Sequence, residues 1–146
     1  KVIGPIISSD VHKFTNREYV RCLGKMNKEE IAKELQSTDI LIHCQLNPAC
    51  PNSVIEAISC GIPVVGFDSG AMKEILYFAP ELLAYVSDEV FNRYKDFKFE
   101  KLFEKIELCI NNYKDYKNKF IKYNNLYDFK NTYKEYIEVF ESVRGK

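Results

Sequence analysis

The chain has 146 residues, 46% hydrophobic and 29% charged, a size and balance that suit one globular domain and exclude a disordered segment. Its 21 basic and 21 acidic residues cancel, which argues against a partner recognised by bulk charge, nucleic acid above all. A local phosphate site escapes that argument, because backbone dipoles serve it as well as net charge.

Five cysteines, Cys22, Cys44, Cys50, Cys60 and Cys109, contain no C-x-x-C pair. Odd in number, they read as reduced, intracellular thiols. The two histidines, His12 and His43, form no ligand pair, so neither a structural metal nor another cofactor is expected. No apolar run approaches the ~20 residues of a membrane span. The start, KVIGPIISSD, lacks the layout of a signal peptide. The expected location is the cytoplasm, with peripheral attachment at the inner face of the membrane left open to the full protein.

In chain order, KVIGPI (1–6) reads as a strand, as if the chain began mid-fold, and a polar loop with weak helical character follows. EYVRCLG (18–24) reads as a second strand, stopped by Gly24. Asn27 and Glu30 make an N-x-x-E capping pattern for a helix over 28–37, with Ile31, Leu35 and Ala32 facing inward. DILIHC (39–44) is a near-continuous apolar run, as expected of a strand covered on both faces. After the loop LNPACPN comes a helix over 53–60, with Gly61 suited to a left-handed C-terminal cap. Pro63 leads PVVGF (63–67), which reads as another buried strand. DSG (68–70) makes a turn, with Asp68 and Gly70 leading into the next helix, AMKEILYF. LLAYV (82–86) is a last strand. This alternation predicts an α/β fold, a Rossmann-like parallel sheet with helices on both faces and right-handed crossovers.

Residues 87–146 read as helical. Leu102, Phe103, Ile106 and Ile110 mark one helix, Phe120 and Ile121 a second, and Tyr133, Tyr136, Ile137 and Phe140 a third. Interleaved Lys and Tyr would suit stacking on single-stranded nucleic acid. The acids among them, Asp115, Asp128, Glu135, Glu138 and Glu141, would repel phosphates. Amphipathic helices with aromatics packed inward are therefore expected.

In an open parallel sheet, ligands bind beyond the carboxyl ends of the strands. Loops leave such ends after Ile6, Leu23, Cys44 and Phe67, and the third is the long one. There Ser53 and Glu56 have the spacing of an S-x-x-E capping box, and a carboxylate early in a helix gains roughly 0.3–1 kcal/mol from the dipole. The same residues fit a ligand site. Free amides of Asn52–Val54 at a helix start suit a diphosphate, and Pro51 stiffens the approach. A carboxylate one turn on accepts from two vicinal ribose hydroxyls. Cys60 is expected as a small core residue, His43 as a packed histidine near a strand's carboxyl end, and Cys50 as an accessible loop thiol.

NSVIEAISCGIPVVGFDSGAMKEI resembles the signature of retaining GT-B glycosyltransferases, group 1 (family 4): L-E-A-(M/L)-A-C-G-x-P-V-V, then D-x-G-G and a Glu. It is matched at Glu56, Ala57, Cys60, Gly61, Pro63, Val64, Val65, Asp68, Gly70 and Glu74. STDILIHCQLNP, YVRCLGKMNKEEIAKEL and the last helix, ending TYKEYIEVFESV, are similar to further family motifs in the same order. The resemblance implies the carboxyl-terminal, donor-binding half of a two-domain enzyme. Residues 1–146 would form one donor-binding domain, with 87–146 its helical end, and a glycan or lipid acceptor would bind the other half. Glu56 would hold the ribose. Backbone at Cys50, Pro51, Asn52, Ser53 and Val54 would meet phosphates and sugar, and that of Gly24, Lys25 and Met26 the nucleobase.

Two departures stand out. The family's first glutamate, eight positions before the second, is Pro48 here, and the usual G-F-G of the loop is CPN. The first strand and the catalytic Arg/Lys pair that neutralises the leaving diphosphate would precede Lys1. Competing readings are a sugar-nucleotide 2-epimerase of the same fold, disfavoured by the poverty of histidine, and a non-catalytic nucleotide-binding or interaction domain. A response-regulator module lacks the acidic pair near an early strand.

Overall fold

The computed structural model describes residues 1–3, 18–86 and 99–144. The expected polar loop and most of the first strand lie outside them. The chain divides into two compact units, Lys1–Ser37 and Thr38–Lys146.

In the first unit, β1 (Val2–Ile3) pairs in parallel with β2 (Cys22–Gly24). The second strand is shorter than EYVRCLG, because residues 18–19 form a turn that leaves Tyr19 exposed. α1 (Lys28–Gln36) starts at the expected capping box. The Asn27 side chain accepts from the Glu30 amide at 2.9 Å, and Glu30 accepts from the Asn27 amide at 2.8 Å. Leu35 is buried and Ile31, one turn earlier, half-buried. Ala32 is exposed, since it lies about 100° round the helix from Ile31.

The second unit carries a three-stranded parallel sheet, ordered β3 (Leu41–His43), β4 (Val64–Asp68), β5 (Leu83–Tyr85). α2 (Asn52–Ser59) connects β3 to β4. The short α3 (Met72–Ile75) and a 3₁₀ turn (Pro80–Leu82) connect β4 to β5. β4 is the strand covered on both faces: Val64 and Val65 are fully buried and Phe67 nearly so. A Cβ at Gly66 would touch Met72 of α3. On the opposite face Phe67 meets Phe99, the first residue of α4 (Phe99–Asn111), edge to face at 6.2 Å. The architecture is thus α/β, with a Rossmann-like parallel sheet flanked by helices. The double-sided burial expected of DILIHC is corrected for β3: among the described residues it is an outer strand of its three-stranded sheet, and Ile42 is 46% exposed.

α4 covers β4 and β5 with Leu102 and Cys109 buried and Ile106 half-buried, while Phe103 and Ile110 are exposed. The inward stripe is therefore 102–106–109, and residues one step further round face out. α5 (Tyr113–Lys122) buries Phe120 fully against Phe78, ring centroids 5.0 Å apart. Its Lys119 donates to Glu81 of the 3₁₀ turn at 2.8 Å. The Tyr127 hydroxyl donates to the Ile75 carbonyl at 2.9 Å and ties down the following turn. Gly61 takes the expected left-handed conformation (φ 65°), and a Cβ there would come within 2.9 Å of Ile121. Glycine thus serves both the cap and the close approach of α5.

The expectation of inward-packed aromatics fails for α6 (Phe129–Arg144), which has no buried residue. Tyr133, Tyr136 and Phe140 are all more than half exposed. β4 is already covered from both sides by α3 and α4, so no apolar face of that strand is left for α6 to bury.

Candidate functional site

β3 and β4 run in parallel, so the loops that leave them, 44–51 and 69–71, emerge at the same carboxyl edge. The two loops are stitched together. The Asn47 amide donates to Ser69 Oγ at 3.1 Å, and the Ala71 amide donates to the Pro48 carbonyl at 2.9 Å. Gly70, at φ 55°, lies so close that a Cβ would sit 2.5 Å from the Pro48 oxygen. Pro48 is fully buried, and Asn47 takes a left-handed φ of 49°. Asn accepts that region better than most residues.

From this stitched loop α2 starts. Its N-cap is the buried Pro51, with no side-chain cap. The expected Ser53–Glu56 capping box does not form. The helix begins at Asn52, so Ser53 already has helical backbone, whereas an N-cap residue must be extended. Glu56 is the fifth helical residue, and capping does not account for it. α2 buries Val54, Ala57 and Ile58 and exposes Asn52, Ser53, Glu56 and Ser59, and its C-cap Cys60 is exposed as well. Asn52 and Glu56, four residues apart, share that exposed face.

The amides sort accordingly. Val54 donates to the Pro51 carbonyl at 3.0 Å, and Ile55 to the same oxygen at 3.3 Å. That corrects the expectation for Val54, whose amide is occupied and whose side chain is buried. Asn52 and Ser53 hold the first two helical positions, where the helix supplies no acceptor. The site therefore offers two amides without a helix acceptor, on exposed residues at the positive end of a helix, and a carboxylate about one turn along the same face. Such an arrangement fits an anion joined to a polyhydroxylated group.

The remaining expected residues are placed as follows. Cys50 is exposed in the loop, as expected. Cys60 is exposed too, against the expectation of a core thiol, because it follows Glu56 by four residues and shares its outward face. Cys109 is the buried thiol, and burial pushes it up to about 11. His43, at the carboxyl end of β3, is packed beside Gly66 with Nε2 buried and unpartnered among the described residues. Burial lowers its pKa. Gly24, Lys25 and Met26 lie in the first unit, Gly24 as the last residue of β2 and the other two in the loop to α1. Gly24 has φ 70° with open space where a Cβ would stand, and Lys25 is exposed.

Sequence reading missed three groups at the carboxyl edge of the second unit. Ser69 anchors the loop, and Lys73 stands 3.8 Å from Asp68 at the end of β4. Tyr85, in register with Asp68, is 66% exposed at the end of β5. Their shared signal was position just past, or at, a strand's carboxyl end. Among the described residues no group of three or more His, Cys, Asp or Glu is placed to hold a metal ion. None of the described helices is long and apolar enough to cross a membrane.

A family model described as glycosyl transferases group 1 matches residues 7–127. The match takes in both stitched loops and α2 and ends before α6. No curated protein and no solved structure matches the chain.

Proposed function

The chain belongs to the group 1 glycosyltransferases, and from that premise we propose that residues 1–146 form the donor-binding half of an enzyme moving a hexosyl group from a nucleotide-sugar to a glycan or lipid acceptor. The observation that carries the reading is the start of α2. The first-turn amides of the exposed residues Asn52 and Ser53 and the exposed Glu56 share one helix face beside the carboxyl end of β3. A diphosphate would take the amides and the helix dipole. Glu56 would accept from the ribose hydroxyls, as the acid of dinucleotide folds does. Cys50 and Pro51 would shape the loop around phosphate and sugar. The backbone of Gly24, Lys25 and Met26 is assigned to the nucleobase.

Glycosyl transfer with loss of a nucleoside diphosphate builds negative charge on the departing oxygen. Fixed amides stabilise that charge more in the transition state than in the ground state, because they need no reorganisation as it develops. No metal is invoked. The cations and the acceptor surface are assigned to other parts of the full protein, with retaining stereochemistry, and the present chain alone is expected to bind and not to transfer. Its setting is read as polysaccharide or glycolipid synthesis on the cytoplasmic side, with peripheral membrane contact through the other half.

Pro48 favours a second reading. A proline side chain carries no carboxylate, and this one is fully buried, so the position makes no acidic contact to the sugar, as a nucleotide-binding domain without transfer would have it. Assaying the full-length protein with a panel of nucleotide-sugars separates the two.

Titration calorimetry with uridine, guanosine and adenosine diphosphates tests the site. One of them binds, and Glu56→Ala weakens it about tenfold or more, the loss of a charged hydrogen-bond acceptor. Because Glu56 is exposed and caps nothing, stability changes by no more than about 0.5 kcal/mol. Unchanged affinity in Glu56→Ala would remove the ribose role.

A further inference from the structure

Pro48 and Ser69 are far apart in sequence and meet at the edge where α2 begins. The loop 47–48 and the turn 69–71 share two hydrogen bonds, Asn47 amide to Ser69 Oγ and Ala71 amide to Pro48 carbonyl. A third restraint is steric, since Gly70 leaves no room for a Cβ against the Pro48 oxygen. The Pro48 ring is fully buried, and Asn47 takes a left-handed conformation that Asn accepts better than most non-glycine residues. Three residues further on, Pro51 caps α2 without a side-chain hydrogen bond. The helix start is thus positioned by the loop ahead of it, and that loop is held by the turn after β4.

We infer that the Asn47–Pro48 loop and the Ser69–Ala71 turn form a clamp that aims the first-turn amides of α2, with Ser69 as its positioning residue. The inference rests on the donor-binding reading for its ligand. Ser69 touches no ligand. Its hydroxyl accepts from Asn47 and thereby fixes the direction in which Asn52 and Ser53 present their amides. Pro48 contributes by burial and by its carbonyl. A loosened clamp would lower affinity for the diphosphate more than for the nucleoside, because the helix start serves the phosphates and Glu56 lies a turn further in.

The experiment compares wild type, Ser69→Ala, Ser69→Thr and Gly70→Ala by calorimetry, using each nucleoside diphosphate and its parent nucleoside. Ser69→Ala weakens the diphosphate roughly five- to tenfold, the loss of one hydrogen bond, and leaves the nucleoside within about twofold. Ser69→Thr, which keeps the hydroxyl, restores the diphosphate affinity. Gly70→Ala, with a Cβ forced on Pro48, weakens it more. Equal loss for nucleoside and diphosphate, or no loss for either, overturns the clamp. Hydrogen exchange reads it independently of any ligand. Ser69→Ala speeds exchange at Asn47 and the first turn of α2 but not in β4. Unchanged exchange there overturns the clamp even if wild type binds no diphosphate, a result that would by itself count only against the donor-binding reading.

Discussion

Position decides what each residue at the carboxyl edge does. Glu56 has the spacing of a capping partner, yet the helix starts two residues too early for Ser53 to cap it. An exposed carboxylate free of structural duty is what a ligand contact requires. Pro48 went the other way: chemistry marked it as a missing acid, and burial makes it a wedge. His43 carries a pH prediction. Burial lowers its folded-state pKa below the usual 6.5. Above that value it is neutral folded or unfolded, and stability does not depend on it. As pH falls below about 6.5 the unfolded chain takes up a proton that the folded chain resists, so stability falls until the folded pKa is reached. Urea midpoints at about pH 7.5 and about pH 5.5 should drop for wild type, and the drop should shrink in His43→Leu. An equal drop in both would place the titrating group elsewhere.

Among the elements, helix existence was legible and helix orientation was not. The capping box of α1 and the left-handed Gly61 appeared where local rules put them, since both depend on residues within a few positions of each other. The face a helix buries depends on what packs against it. The inward stripe of α4 runs through Cys109, and Phe103 faces out. α5 and α6 are both amphipathic, but Phe120 is fully buried and α6 buries nothing. Phe120→Ala should therefore cost about 3–5 kcal/mol, read as a lowered urea midpoint. The double change Tyr136→Lys and Phe140→Lys in α6 should move stability by no more than about 0.5 kcal/mol. A large loss from the α6 pair would mean that its face is covered in solution.

For the molecule as a whole, a formal charge of zero carries its own prediction: no measurable shift of duplex DNA in a gel assay at about 150 mM salt, where non-specific binding needs phosphate neutralisation. Retention at that salt would show a basic face that the balance hides. The alternation of elements, the parallel sheet and the family were determined by the sequence alone, because periodicity, caps and turn residues act over a few positions and the signature motif is contiguous. The tertiary structure alone decided that β3 is left part-exposed, that Cys60 faces out, that Pro48 is buried, and that Ser69 holds the loop. Each joins or separates residues that chain order does not pair, and long-range packing, unlike a cap or a turn, leaves no local pattern to read.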